Sequence, residues 1–221
     1  MNLHKKASKP PMPWEYAPLG RREFLAWLEP NLSAADMERV AFAYTCSKYA
    51  HRGQTRDGGK VRYFEHPKSV ACILIHELSI TKWQPIVTAL LHDVLEDSFL
   101  LTSNRIRINF GPAVLRSLRL LTKDPKEGYH ARLVAHGTVW DWIVKLCDRL
   151  HNMRTLGACT PEKRRQQIIE TREVYILLAK KLITRLSAQH KWWGKSLLAG
   201  LHEQCKHVEQ KLRTEKTLAD M

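Results

Sequence analysis

The chain has 221 residues, 44% of them hydrophobic and 26% charged, and this globular composition excludes a disordered or fibrous chain. An excess of 36 basic over 22 acidic side chains gives a formal net charge of +14 and favours a polyanionic partner, such as a nucleotide or nucleic acid. No stretch is apolar enough to span a membrane, and the five scattered cysteines form no CxxC pair, so we expect reduced thiols in a cytoplasmic protein.

The organisation of the chain is predicted from its composition and its apolar spacing. Residues 1–19 are basic and rich in proline, without the apolar stretch of a signal peptide, and are predicted to form a flexible arm. Apolar residues then recur at helical spacing, which predicts an all-α bundle with its main domain at 20–190. An amphipathic helix is predicted within 191–221, and we expect it to pack on the domain, with a dimer contact as the alternative.

Caps and helix breakers set the expected boundaries. They predict, in chain order, a helix from Arg21 to Leu28, one from the N-cap Ser33 to Ala50, a glycine-rich loop over 52–63, helices opened by Pro67 and Pro85, a helix from Thr102 to Phe110 ended by Gly111, one opened by Pro112, a loop over 123–137, a helix from Thr138 to Leu156, and a long helix capped by Thr160.

The helix that follows Pro85 is apolar on nearly all sides, which indicates a buried helix, yet it contains His92, Asp93, Glu96 and Asp97. In a continuous helix, residues four apart project from the same side. Carboxylates crowded on a buried helix repel one another and resist desolvation, and a divalent cation compensates them compactly. A solvent-exposed helix end would also explain Glu96 and Asp97.

A second apolar helix repeats this anomaly at Asp148, and Asn152 and Thr155 continue one polar stripe from it. Arg149, the next residue, could neutralise Asp148 without any metal. A third element is His66, directly before a proline at a loop–helix junction. A histidine in that position carries little information by itself.

Three sequence blocks make the pattern specific. They are AHRGQTRDGGKVRYFEHPKSVA, ALLHDVLEDS and VKLCDRLHNMRTL, and their order and separations resemble the signature blocks of the RelA/SpoT-type HD hydrolase domain. The resemblance extends from about Ala34 to Leu186 and implies an HD-domain helical bundle. No synthetase domain accompanies it, so the nearest type is the small stand-alone hydrolase of the alarmone (p)ppGpp.

The resemblance also implies roles for individual residues. The implied metal ligands are His66, His92, Asp93 and Asp148, and the family's metal is generally Mn²⁺, which suits imidazole and carboxylate donors. The resemblance assigns the orientation or deprotonation of the attacking water to Glu96 and Asp97. The implied nucleotide-binding residues are Arg56, Tyr63, Asn152 and Thr155, and surplus cations such as Lys145, Arg149 and Arg154 are candidates to hold phosphates.

The expected activity is therefore removal of the 3′-pyrophosphate of (p)ppGpp, giving GDP or GTP and pyrophosphate. The chain departs from the family pattern at Asp57, Arg62, Phe64 and Ser98. Asp57 replaces a usual basic residue, which leaves adenosine alarmones, (p)ppApp, or NADPH open as substrates. Alternatives of other classes are a basic nucleic-acid-binding helical module, which buried acids disfavour, and a regulatory partner that has lost activity. An oligomer remains possible on this sequence.

Overall fold

A computed structural model describes residues 19–56, 59, 61–98 and 100–219. The predicted arm, except Leu19, and the departure at Asp57 lie outside these residues. The predicted all-α class is confirmed, since helices form nearly all of the described secondary structure. The α-helices are α1 (Arg21–Ala26), α2 (Ala34–Ala50), α3 (Glu65–Cys72), α4 (Trp83–Leu91), α5 (Val94–Asp97), α6 (Ser103–Leu121), α7 (Tyr129–His136), α8 (Val139–Arg154), α9 (Pro161–Glu170), α10 (Ile176–Arg185) and α11 (Lys191–Ala219), and π-helical turns at Ile73–Glu77 and Thr171–Tyr175 continue α3 and join α9 to α10.

Helix α4 forms the centre of the bundle. Every residue from Pro85 to Leu91 is buried, and α2, α3, α6 and α8 pack around it. Burial of a valine, leucine or isoleucine side chain contributes about 1.5–3 kcal/mol, so a helix that is apolar all round is most stable where neighbours cover every side. This central position places the residues that follow Leu91 inside the protein.

Side-chain caps begin several helices where the sequence predicts them. The hydroxyl oxygens of Ser33 and Thr160 accept hydrogen bonds from backbone N–H groups in the first turns of α2 and α9. Thr138 and Asp141 form a reciprocal capping box at the start of α8. These bonds satisfy N–H groups that have no partner within a helix. The capping box of Thr138 and Asp141 also fixes the residue at which α8 begins.

Three local expectations were wrong. Residues 123–137 are not a continuous loop, because α7 buries Tyr129 and Leu133, which lie one turn apart. The 52–63 loop contains a short antiparallel hairpin that pairs β1 (Thr55–Arg56) with β2 (Val61–Arg62). The helix from Pro85 does not continue to Asp97. It ends at Leu91, and a new turn starts when the Asp93 carbonyl accepts hydrogen bonds from the N–H groups of Glu96 and Asp97.

The C-terminal helix α11 packs against α8, α9 and α10. Its apolar stripe is buried at Leu197, Leu201, Cys205, Val208 and Leu212. Three of these side chains, Cys205, Val208 and Leu212, belong to a cluster with Met153 of α8 and Ile168 of α9. Within the described part of the chain, no helix combines the length and apolarity that a membrane crossing requires.

Gly111 divides α6 where the sequence predicts a break. Its φ of 86° and ψ of 167° lie in a region that only glycine adopts readily. A Cβ added at Gly111 would meet no atom within 4 Å, so an alanine there adds backbone strain without a steric clash. The division lets Pro112 stand in the first turn of the second segment, where its missing N–H is harmless.

Gly111→Ala is expected to lower the free energy of unfolding by about 1–3 kcal/mol, because an L-residue is strained at this φ and ψ. Urea unfolding followed by circular dichroism measures the loss. Gly157→Ala is the matched control, since its Cβ also meets open space and its φ is not positive. Equal stability of the two variants would contradict the backbone explanation.

Candidate metal and nucleotide site

Three buried side chains from separate elements converge on one point. His66 lies in the first turn of α3, His92 directly follows α4, and Asp148 lies in α8. One potential ligand atom from each residue lies within 4.8 Å of the others. Asp93 joins them through its Oδ1, 3.2 Å from His92 Nε2, and its Oδ2, 3.5 Å from His66 Nε2. The structure thus brings together the four residues predicted as ligands.

The spacing within this cluster fits a shared cation. His66 Nε2 lies 3.1 Å from Asp148 Oδ1 and 3.2 Å from His92 Nε2, and His92 Nε2 lies 3.6 Å from Asp148 Oδ1. Ligands at about 2.2 Å from a metal are separated by about 3.1 Å at adjacent octahedral corners and about 3.6 Å at tetrahedral corners. The donor set is also chemically suitable, because imidazole nitrogens and carboxylate oxygens bind many divalent ions.

The outer nitrogens of both histidines are held by hydrogen bonds. His92 Nδ1 donates to the Ala89 carbonyl at 2.8 Å, which turns Nε2 towards the cluster. His66 Nδ1 lies 2.8 Å from His151 Nδ1, so one of these two nitrogens carries a proton and donates it to the other in a hydrogen bond. Metal-binding imidazoles are characteristically oriented by such a partner on the second nitrogen.

The electrostatics of the cluster keep Asp148 ionised and affect its two histidines in opposite ways. Burial lowers the pKa of His92, but Asp93 and Asp148 outweigh it and raise that pKa to about 9. Burial and the nearby Arg56 guanidinium lower the pKa of His66 to about 4. Burial opposes ionisation of Asp148, yet Lys145, followed by the two histidines, holds its pKa well below the usual range. Two carboxylates and two imidazoles at this spacing therefore attract a cation.

Lys145, rather than Arg149, neutralises Asp148. Lys145 Nζ donates to Asp148 Oδ2 at 2.8 Å, whereas Arg149 forms an ion pair with Glu170 at 2.7 Å. Arg154 forms two hydrogen bonds with the Glu77 carboxylate. Each of the three cations suggested to hold phosphates therefore already contacts a carboxylate of the protein, and their role at phosphates stays a prediction.

A cavity of about 550 Å³ is connected to the cluster through Asn152. It is lined by Arg56, Asn152, Thr155, Leu156, Ala158, Cys159, Thr160, Lys163 and Gln167. Asn152 connects this cavity to the cluster, because its Oδ1 accepts from Arg56 at 2.7 Å and its Nδ2 donates to Asp148 at 2.6 Å. Three of the four predicted nucleotide-binding residues thus share one cavity.

Tyr63, the fourth predicted nucleotide-binding residue, does not line this cavity. Its hydroxyl donates to Asp93 Oδ2 at 2.9 Å, and its ring stacks on His51 and lies beneath the Arg56 guanidinium. Burial raises the pKa of the Tyr63 phenol, and the carboxylates of Asp93 and Asp97 raise it further. Tyr63 therefore orients a candidate ligand and supports Arg56 from below.

The two predicted catalytic acids have different surroundings. Both are exposed, as the alternative interpretation of the helix end allowed. The carboxylate of Asp97, like that of Asp93, lies close enough to Tyr63 to raise the pKa of its phenol. The Glu96 carboxylate instead accepts a hydrogen bond from the Lys123 backbone N–H at 2.6 Å. The structure thus brings Asp97 to the cluster more directly than Glu96.

Sequence reasoning missed the positions that four residues take in this region. Lys145 and His151 hold ligands from behind, and Lys163 and Gln167 line the cavity. Helical spacing could have identified the contact of Lys145, which is three residues before Asp148 on the same face. The contact between His151 and His66 joins residues 85 positions apart, and no local signal predicts it.

No protein-family model matches the chain. Among curated proteins, the chain is similar to the bifunctional (p)ppGpp synthase/hydrolase SpoT of Escherichia coli K12, with 35% identity over 167 residues. It is 36% identical over 164 residues to the guanosine-3′,5′-bis(diphosphate) 3′-pyrophosphohydrolase of Vibrio cholerae, and 36% identical over 170 residues to the GTP pyrophosphokinase rsh of Brucella melitensis. These matches cover 68–70% of the chain but only 21–23% of each relative.

A solved structure resembles the chain over most of its length. It is described as a metazoan ortholog of SpoT that hydrolyzes ppGpp, with 28% sequence identity and a TM-score of 0.58. The match covers 80% of this chain and 96% of the metazoan chain. The sequence similarity and the structural similarity agree: over most of its length the chain is similar to proteins of the SpoT type.

Proposed function

We propose that the chain hydrolyses (p)ppGpp, removing the 3′-pyrophosphate to give GDP or GTP and pyrophosphate. One observation carries the proposal: Asn152 lines a cavity of about 550 Å³ and also donates a hydrogen bond to Asp148 of the buried histidine and aspartate cluster. A cation site beside a pocket of this size suits a nucleotide whose phosphates reach the cation. The names of the relatives from Escherichia coli and Vibrio cholerae favour a guanosine substrate and hydrolysis.

In this proposal His66, His92, Asp93 and Asp148 hold one divalent cation, and we propose Mn²⁺. A cation bound there would polarise a phosphoryl oxygen and lower the pKa of a water molecule. The mixed nitrogen and oxygen donors suit Mn²⁺. Tyr63 and His151 contribute by holding Asp93 and His66 in place.

The nucleotide is proposed to occupy the cavity beside Asn152. Arg56 offers a flat guanidinium, already supported by the Tyr63 ring, on which a nucleobase can stack. Its Nη1 is buried and has no hydrogen-bond partner among the described residues, so a ligand acceptor can satisfy it. Lys163, at the start of α9, adds positive charge for phosphate groups. The five free cysteines support a cytoplasmic site of action.

We propose that Asp97 accepts a proton from the attacking water and that Glu96 supports the position of this segment. Asp97 is exposed and close to Tyr63 and Asp93, and its backbone carbonyl is fixed by the Gln54 amide at 2.6 Å. Glu96 fastens the same turn to Lys123. This division of roles narrows the equal assignment that the family resemblance implies.

His92→Ala is expected to abolish metal binding, because it removes one of two imidazole donors from the cluster. Inductively coupled plasma mass spectrometry of protein loaded with Mn²⁺ and desalted measures the metal content. His130→Ala is the control, since that histidine pairs with Glu170 outside the cluster. Wild-type metal content in a folded His92→Ala variant would contradict the assigned site.

Purified protein with Mn²⁺ is expected to convert ppGpp to GDP and pyrophosphate, resolved by anion-exchange chromatography, and EDTA is expected to stop the reaction. Equal concentrations of ppApp and NADPH in parallel reactions test the substrate, and the highest kcat/KM identifies it. Preference for ppApp or NADPH would replace the guanosine assignment. Turnover of none of the three would contradict a hydrolase role.

Asp97→Asn is expected to lower kcat about 10²–10⁴-fold, the range typical for loss of a general base, without loss of bound Mn²⁺. Glu96→Gln is expected to lower kcat less, because its amide oxygen still accepts from the Lys123 N–H. Steady-state kinetics together with metal analysis separates the two variants. A larger kcat loss in Glu96→Gln would assign the base to Glu96 instead.

A further inference from the structure

We propose that Lys145 is a positioning residue that fixes the Asp148 carboxylate so that only one of its oxygens faces the metal site. The inference builds on the metal site of the proposed function and assigns a role to a buried cation. Lys145 does not reach solvent, with 4% of its surface exposed, so it is poorly placed to capture a phosphate. Its ammonium group points instead to the rear of a candidate ligand.

The two oxygens of Asp148 have separate partners. Oδ2 accepts from Lys145 at 2.8 Å. Oδ1 lies 3.1 Å from His66 Nε2 and accepts from Asn152 at 2.6 Å. Rotation of the carboxylate would exchange these oxygens and break both hydrogen bonds. The pair of donors therefore holds Asp148 as a ligand with a single available oxygen.

The surroundings of Lys145 make this contact hard to replace. Its ammonium lies 5.5 Å from the centre of the Tyr129 ring, which attracts a cation through its π electrons. The Tyr129 hydroxyl donates to the Leu121 carbonyl at 3.1 Å, so this ring is itself fixed. Removing one member of a buried ion pair leaves the other without compensation, which disfavours alternative positions of either side chain.

Lys145 also sets the net charge of the centre. Asp93 and Asp148 bring two carboxylates to the centre, and Lys145 places one ammonium group against Asp148. With a divalent cation added, these charges sum to one positive charge, which attracts an anionic phosphate. Without Lys145 the same centre would be neutral.

Isothermal titration calorimetry with Mn²⁺ alone measures the Kd of the metal and tests the role of Lys145 without any substrate. Lys145→Met is expected to weaken Mn²⁺ binding about 10–100-fold, the usual effect of removing a group that orients a metal ligand. Lys145→Arg keeps the charge and a donor, and is expected to bind Mn²⁺ more tightly than Lys145→Met. Arg149→Met is the matched control, because it removes a buried cation of α8 that pairs with Glu170.

A folded Lys145→Met variant with a Mn²⁺ Kd equal to or below the wild-type value would overturn the inference, as would an equal loss in Arg149→Met. If Lys145→Met does not fold, the double variant Lys145→Met/Asp148→Asn is expected to recover folding, since it removes the uncompensated carboxylate. Failure of that rescue in thermal unfolding would contradict the pairing. A wild-type protein that binds no Mn²⁺ would instead contradict the proposed function.

Discussion

A carboxylate ionised inside a helical core is the constraint around which this protein is built. Asp148 is 5% exposed, and an unpaired carboxylate at that depth costs several kcal/mol. Its partners come from α8, α3 and the end of α4, so their contacts with Asp148 fix how these helices lie against one another. The contacts that position the site residues therefore also hold the helices of the bundle together.

The sequence predicted the parts of the site that contrast with their surroundings. His92 and Asp148 stand out because leucines and isoleucines surround them, and capping residues such as Thr138 mark helix starts independently of tertiary structure. The bundle and its candidate ligands followed from such signals together with the family resemblance. The break after Leu91 was missed, because the residues on both sides have helical propensity and no glycine or proline marks the position.

Other features of the site depend on contacts between residues that are far apart in the sequence, and no local sequence pattern predicts such contacts. Arg56, Asn152 and Asp148 form one chain of hydrogen bonds from the cavity to the cluster. Spacing predicts the contact between Asn152 and Asp148, which are four residues apart, but the link to Arg56 crosses 96 positions. A ligand that displaces Arg56 would therefore also disturb Asn152 and its hydrogen bond to Asp148, a candidate metal ligand.

The interruption between α4 and α5 has a consequence for how this motif can be transplanted. Neighbouring side chains on an uninterrupted helix diverge by about 100°, so adjacent residues point into different parts of a protein. Here His92 Nε2 and Asp93 Oδ1 lie 3.2 Å apart in the two-residue interruption between Leu91 and Val94. Copying the His-Asp dipeptide onto a straight helix of another scaffold would reproduce the sequence but not the short distance between the two ligand atoms. A designer must transfer this interrupted turn, together with the Ala89 carbonyl and the Tyr63 hydroxyl that hold the two side chains in place.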